Sequence, residues 1–146
     1  MPNPKIRTAA LLAALIFLSV GAAAAQDTTK TIKKEPIPVT SGASGEEMFN
    51  TYCAVCHGKG GKGDGPAASE FKTVPANLTV LAKNNKGTFP EPYVAEVIKT
   101  GPRDAKAHGS KDMPVWGKLF ESMGDDASVK LRIHNLSDYI ETLQVK

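Results

Sequence analysis

From Gly45 onward the apolar positions fall on one helical face, with Phe49, Cys53 and Cys56 following at intervals of four, four and three residues. Ser44 with Glu47 has the capping-box spacing, Glu46 and Glu47 favour a first turn, and Gly58 supplies a stop. The pattern predicts a first helix that ends at about His57. A second helix fits EPYVAEVIKTG, with Pro92 in its first turn, Tyr93, Val97 and Ile98 on one face and Gly101 as its end. A third runs near the end, where Val129, Ile133, Leu136, Ile140 and Leu143 repeat at four, three, four and three. Nothing strand-like precedes Cys53.

The start of the chain has a different pattern. MPNPKIR carries Lys5 and Arg7, and an apolar run of 18 residues from Thr8 to Ala25 follows, closing on glycine and alanine. A basic start, an apolar stretch and an A-x-A site at Ala23–Ala25 predict a secretory signal, residues 1–25, cleaved after Ala25. The alternative is an uncleaved membrane anchor, but the small-residue flank suits a peptidase better than a bilayer. Residues 26–43 are polar, carry three lysines and two prolines, and have no apolar period, so they read as a flexible leader. The remainder, residues 44–146, is expected to form one domain.

Charge excludes one class of partner. Without Lys5 and Arg7, 16 of the 18 basic residues remain against 15 acidic ones, a net charge of +1 on a mature chain of 121 residues. No basic face is evident, so nucleic acid is not expected as a partner. With the signal removed, no membrane span is expected either.

Cys53 and Cys56 are the two cysteines of the chain, and His57 follows the second directly. A disulfide redox pair of the thioredoxin kind would sit at a helix start after a strand, which is missing here. Zinc needs four ligands, and His108 and His134 stand singly, without metal-motif spacing. C-x-x-C-H as a unit is the attachment signature for haem c. Two thiols one turn apart can add to the two vinyl groups on a porphyrin edge, forming two thioethers, and the next residue brings an imidazole to the iron. The cofactor expected is therefore one covalent haem c on Cys53 and Cys56, with His57 as iron ligand. The glycine-rich loop after His57 either lets backbone run close to the flat ring or forms a solvated turn.

The opposite face of the iron has five candidates: Met48, Met113, Met123, His108 and His134. Met48 is on the same helix as the cysteines and cannot swing over the ring. His134 lies inside the last helix, and Met123 near a helix end suits core filling. Met113, in SKDMPVWG, is held in an irregular segment by a following proline and is 56 residues beyond His57. It is the expected sixth ligand, with His108 as the rival. A thioether favours ferrous iron and raises the reduction potential relative to nitrogen-only ligation.

With these motifs in place the chain resembles the class I, single-haem cytochromes c over roughly residues 44 to 146. GEEMFNTYCAVCH, MPVWG and the closing amphipathic helix carry the resemblance. It implies an all-α fold, a few helices wrapped round one haem, in which the first and last helices cross beside the ring. Gly45 and Phe49 match the contact positions of the first helix, and Tyr139 matches the aromatic partner of Phe49. A proline carbonyl is implied on the second ring nitrogen of the ligating histidine: Pro66 is the choice and Pro75 the alternative. Trp116 is expected to pack near the haem and reach a propionate with its indole N–H, and Arg103, just ahead of the methionine loop, to neutralise the same propionate, although a plain core or surface role is open for each. Lys59, Lys62, Lys106, Lys111 and Lys118 either ring the exposed haem edge and steer an acidic partner, or are scattered solvated charge.

The function these readings lead to is periplasmic electron transfer, taking one electron from a donor protein and passing it to an acceptor, with no catalytic residue and no enzyme activity. The alternatives are an electron-donating subunit of an oxidoreductase complex, and a haem enzyme or gas sensor with an open sixth site.

Overall fold

Ser44 starts the first helix in the computed structural model, which describes residues 36–102 and 112–145. The Ser44 side chain accepts the Glu47 N–H at 3.1 Å, satisfying one of the orphan donors of the first turn. The Glu47 carboxylate passes over the cap residue and accepts from the Ser41 N–H instead. Helix α1 (Gly45–Met48) continues through a π turn (Phe49–Cys53) into α2 (Ala54–His57), with the Ala54 N–H reaching back to Phe49 O. The π turn carries Phe49, Tyr52 and Cys53, all buried. Such insertions are frequent at functional sites.

Two short 3₁₀ turns follow, at Ala68–Glu70 and Leu78–Val80, the second leading into α3 (Leu81–Asn84). Helix α4 (Glu91–Thr100) has Pro92 in its first turn and ends on Gly101 at φ +81°, as its sequence predicts. Then come α5 (Trp116–Glu121) and α6 (Asp126–Thr142). There is no strand among the described residues, and the fold is all-α as expected.

The first and last helices cross where the sequence places their small and aromatic residues. A Cβ on Gly45 would overlap the carbonyl oxygen of Asn135 and press on the Tyr139 side chain. One turn on, the Phe49 and Tyr139 rings meet with centroids 5.3 Å apart. Val129, Ile133, Leu136 and Ile140 of α6 are buried against this junction, and Leu143 packs on its edge. At the other side of α6, α5 begins hard against the end of α4, because a side chain on Gly117 would overlap the Lys99 carbonyl.

The leader reading needs correction in its last part. Thr40 is 5% exposed, and its carbonyl and hydroxyl accept from the buried Arg132 guanidinium at 3.0 and 3.3 Å. Pro38 O accepts from the Tyr52 hydroxyl, and Gly42 O from Asn135 Nδ2. Polar composition suggested solvation, but these polar groups are satisfied by buried side chains of the domain. The domain therefore begins before residue 44. Residues 1–35, with the signal and the first part of the leader, lie outside the described residues.

Candidate functional site

The C-terminal end of α2 is closed by the loop that follows it. Four carbonyls at a helix end need donors, and here the N–H groups of Gly58, Gly63, Gly65 and Ala67 reach Ala54, His57, Cys56 and Val55 at 2.8 to 3.1 Å. Only glycine permits so close a return. A Cβ on Gly65 would lie 2.5 to 2.6 Å from the Val55 and Ala54 carbonyls, and Gly63, at φ +85°, runs against the Pro75 carbonyl. Gly58, Gly63 and Gly65 thus cap the helix that carries the cysteines and His57, while Gly60 is exposed, as a solvated turn would have it.

The same loop brings a second segment to the histidine. Leu78 N–H donates to Gly61 O at 2.7 Å, and Asn77 caps the following 3₁₀ turn by accepting from Thr79 N and Oγ1. Ala76 is thereby placed with its carbonyl oxygen 2.9 Å from His57 Nδ1. A carbonyl only accepts, so Nδ1 carries the proton and Nε2 keeps its lone pair. Burial lowers the His57 pKa from the ordinary imidazole value, partly offset by the Ala76 bond, and both the neutral ring and its tautomer suit a metal ligand.

Pro66 does not take the part expected of it. It is exposed and lies between Gly65 and Ala67, whose N–H groups are both turned onto the helix end. Pro75 is adjacent to the group that does bond, but the carbonyl on His57 belongs to Ala76. No composition rule marks such a position, since every residue offers a carbonyl.

Cys53, Cys56 and His57 form part of the wall of a cavity of about 440 Å³. Its other sides are largely apolar: Leu78, Val80 and Leu81 from the segment after Ala76, Val94, Val97 and Ile98 from α4, and Ile140 from α6. Met113, Pro114 and Trp116 line it from the loop before α5. Trp116 packs on Tyr52 with ring centroids 5.5 Å apart, and Tyr52 turns its hydroxyl away onto Pro38 O at 2.7 Å. No lysine or arginine is among the described lining residues.

Cys53 and Cys56 are not joined to each other in a disulfide. Burial, with a smaller contribution from neighbouring Cys56, pushes the Cys53 thiol up to about 12. Burial also raises Cys56, the more accessible of the two. Both shifts run opposite to the depressed pKa of a reactive redox cysteine. Among the described residues no group of three or more His, Cys, Asp or Glu side chains is placed to hold a metal ion. An apolar cavity with two thiols and a correctly tautomerised imidazole on one wall, and a thioether among its other lining groups, fits a covalently attached haem.

The family model described as cytochrome c oxidase, cbb3-type, subunit III matches residues 40–130. The chain belongs to this family of c-type cytochromes. The match begins at Thr40, the residue that Arg132 holds to the domain. Membership implies covalently bound haem c, electron transfer and redox partner proteins. Neither a curated protein nor a solved structure matches the chain.

The remaining candidates divide clearly. Met48 is buried against Arg132, and Met123 packs at the core edge beside the Tyr52 hydroxyl. His134 is an exposed surface residue paired with Asp138 at 3.4 Å. Lys59, Lys62 and Lys118 are exposed. Arg103, Lys106, His108 and Lys111 lie outside the described residues. No helix among the described residues is long and apolar enough to cross a membrane.

Proposed function

We propose that this c-type cytochrome is a periplasmic one-electron carrier with a single haem c held by Cys53 and Cys56 and ligated by His57 and Met113. The observation that carries the reading is the Ala76–His57 bond beside the two thiols. It fixes the tautomer, leaves Nε2 as the donor, and does so on the wall of an apolar cavity that Met113 also lines. Bound haem c supplies a one-electron iron(III)/iron(II) couple.

The chain's own residues hold that couple and set its surroundings. Cys53 and Cys56 tether the ring, and the capped helix end keeps His57 in register with them. Met113 offers a soft sulfur, which favours the reduced metal. Valine, leucine and isoleucine side chains keep water from the ring and so limit the reorganisation that accompanies each electron. Trp116 lines the cavity and would offer its indole N–H to a propionate, for which Arg103 would be the counter-charge. With His57 and Met113 both ligating it, the iron would keep no open position for a substrate, and the protein would act as a carrier rather than an enzyme. The basic start, apolar run and A-x-A site of residues 1–25 support export and a periplasmic location.

The test is an alkaline pyridine haem spectrum on protein matured in a host that assembles c-type cytochromes, expected to report one thioether-linked haem per chain. The oxidised protein is expected to show a sulfur-to-iron charge-transfer band that Met113→Ala removes. Rapid cyanide or carbon monoxide binding by the native protein would instead point to an open sixth site.

The description of the matched family favours a second reading, in which the protein donates electrons as a subunit of an oxidase complex. Gel filtration of a native periplasmic extract separates the two: a free carrier elutes near the mass of one chain.

A further inference from the structure

The end of α6 is stitched to the segment that carries Ala76. Gln144 Oε1 accepts from the Ala82 N–H at 2.9 Å, while Nε2 donates to Leu78 O at 2.7 Å and to Ile140 O at 2.9 Å. The amide orientation is determined by chemistry, because the reverse would set its oxygen against two carbonyls and its NH₂ against an N–H. The next residue adds a fourth bond, Val145 N–H to Thr79 O at 2.8 Å. Residues 78–82 are thus bonded to the C-terminal end of α6 on one side, and to Gly61 through Leu78 N–H on the other. Ala76 is two residues upstream of Leu78, and the direction of its carbonyl depends on where this segment sits.

We propose that Gln144 is a positioning residue for the iron-binding histidine: by fixing the Leu78–Ala82 segment it holds Ala76 O on His57 Nδ1, and so sets the donor strength of His57. The inference rests on His57 being the haem ligand. An imidazole that donates its second proton to a carbonyl is a stronger base toward the metal and favours the oxidised state. Loosening the segment weakens that donation and favours the reduced state. Gln144 touches neither the cavity's thiols nor the histidine, and acts only through this run of backbone.

The experiment compares Gln144→Leu with Asn135→Leu, which removes a bond from α6 to Gly42 O and leaves the bonds to Leu78 and Ala82 in place. In the holoprotein, Gln144→Leu is expected to retain the pyridine haem spectrum. It should shift the equilibrium with a one-electron mediator at least threefold toward the reduced protein, about 30 mV at 59 mV per decade. It should also speed exchange of the His57 Nδ1 proton more than tenfold in the ferrous protein, by NMR. Asn135→Leu should do neither. Unchanged potential and exchange in Gln144→Leu, or equal shifts in both variants, would overturn the proposal. If Gln144→Leu does not mature, the wild-type protein decides: the His57 Nδ1 proton and the Ala82 and Val145 amides should share one opening free energy. Protection differing more than tenfold among them would rule out a common unit. A wild-type protein without thioether-linked haem would overturn the haem reading itself, whereas normal haem with an insensitive potential overturns only the role of Gln144.

Discussion

Phe49 and Tyr139 pack ring against ring, with centroids 5.3 Å apart and planes inclined at 51°, at the crossing of the first and last helices. Phe49 is completely buried, so Phe49→Ala is expected to lower stability by about 3–5 kcal/mol, combining lost transfer energy with a cavity. Urea denaturation should show the midpoint falling with little change in slope; a loss below about 1 kcal/mol would mean that the crossing is not a principal packing site.

Gly45→Ala tests the same crossing by adding volume. The new methyl has no space between the Asn135 carbonyl and the Tyr139 side chain, so the helices must move apart. Although alanine is the better helix former, the variant is expected to lose about 1–3 kcal/mol. A gain in thermal stability would contradict the packing described.

Arg132 is 8% exposed and binds Thr40 through both terminal nitrogens, while its Nε has no hydrogen-bond partner among the described residues. Arg132→Ala removes two charge-assisted bonds and opens a cavity beside Phe120. A cost of about 2–4 kcal/mol is expected. Release of residues 36–42 should appear as faster limited proteolysis there, with the rest of the domain resistant.

Asp125 caps α6, accepting from Ser128 N at 2.9 Å and Ser128 Oγ at 2.7 Å, and these bonds hold its carboxyl below the usual carboxylate range. A depressed folded-state pKa gives stability that is fully present above the ordinary aspartate value of about 4 and is lost as pH falls through the folded value. The stability difference between wild type and Asp125→Ala should therefore be largest near neutrality and shrink as pH falls through that window. Asp125→Asn keeps a capping oxygen without titrating, so its stability should lack this pH dependence.

Met113→His replaces a soft sulfur with a nitrogen in the loop before α5. If Met113 is the sixth ligand, the reduction potential falls and the sulfur-to-iron band disappears. An unchanged potential would remove Met113 from the iron.

The parts of this fold that were legible in the sequence are those specified by local spacing. The α6 stripe, the Gly101 stop, the Ser44 cap and the C-x-x-C-H unit each act within a few residues, and the Gly45, Phe49 and Tyr139 contacts followed from a family pattern. What sequence reading missed depends on separation or on backbone. Thr40 and Arg132 are 92 positions apart, and an isolated threonine in a polar stretch gives no sign of the guanidinium it will meet. Ala76 acts through a carbonyl, which carries no side-chain signature, whereas the proline of the family pattern points to Pro66. Gln144 reads as a polar residue at a frayed helix end, and only its three partners reveal what it holds.

Five glycines in the eight residues from Gly58 to Gly65 would normally mark the place where a protease cuts first. The N–H groups of Gly58, Gly63 and Gly65 instead act as a clasp on the preceding helix, so nicking requires the last turn of that helix to come apart. Trypsin, although offered Lys59 and Lys62 in the open, should leave this stretch whole for as long as the native state lasts.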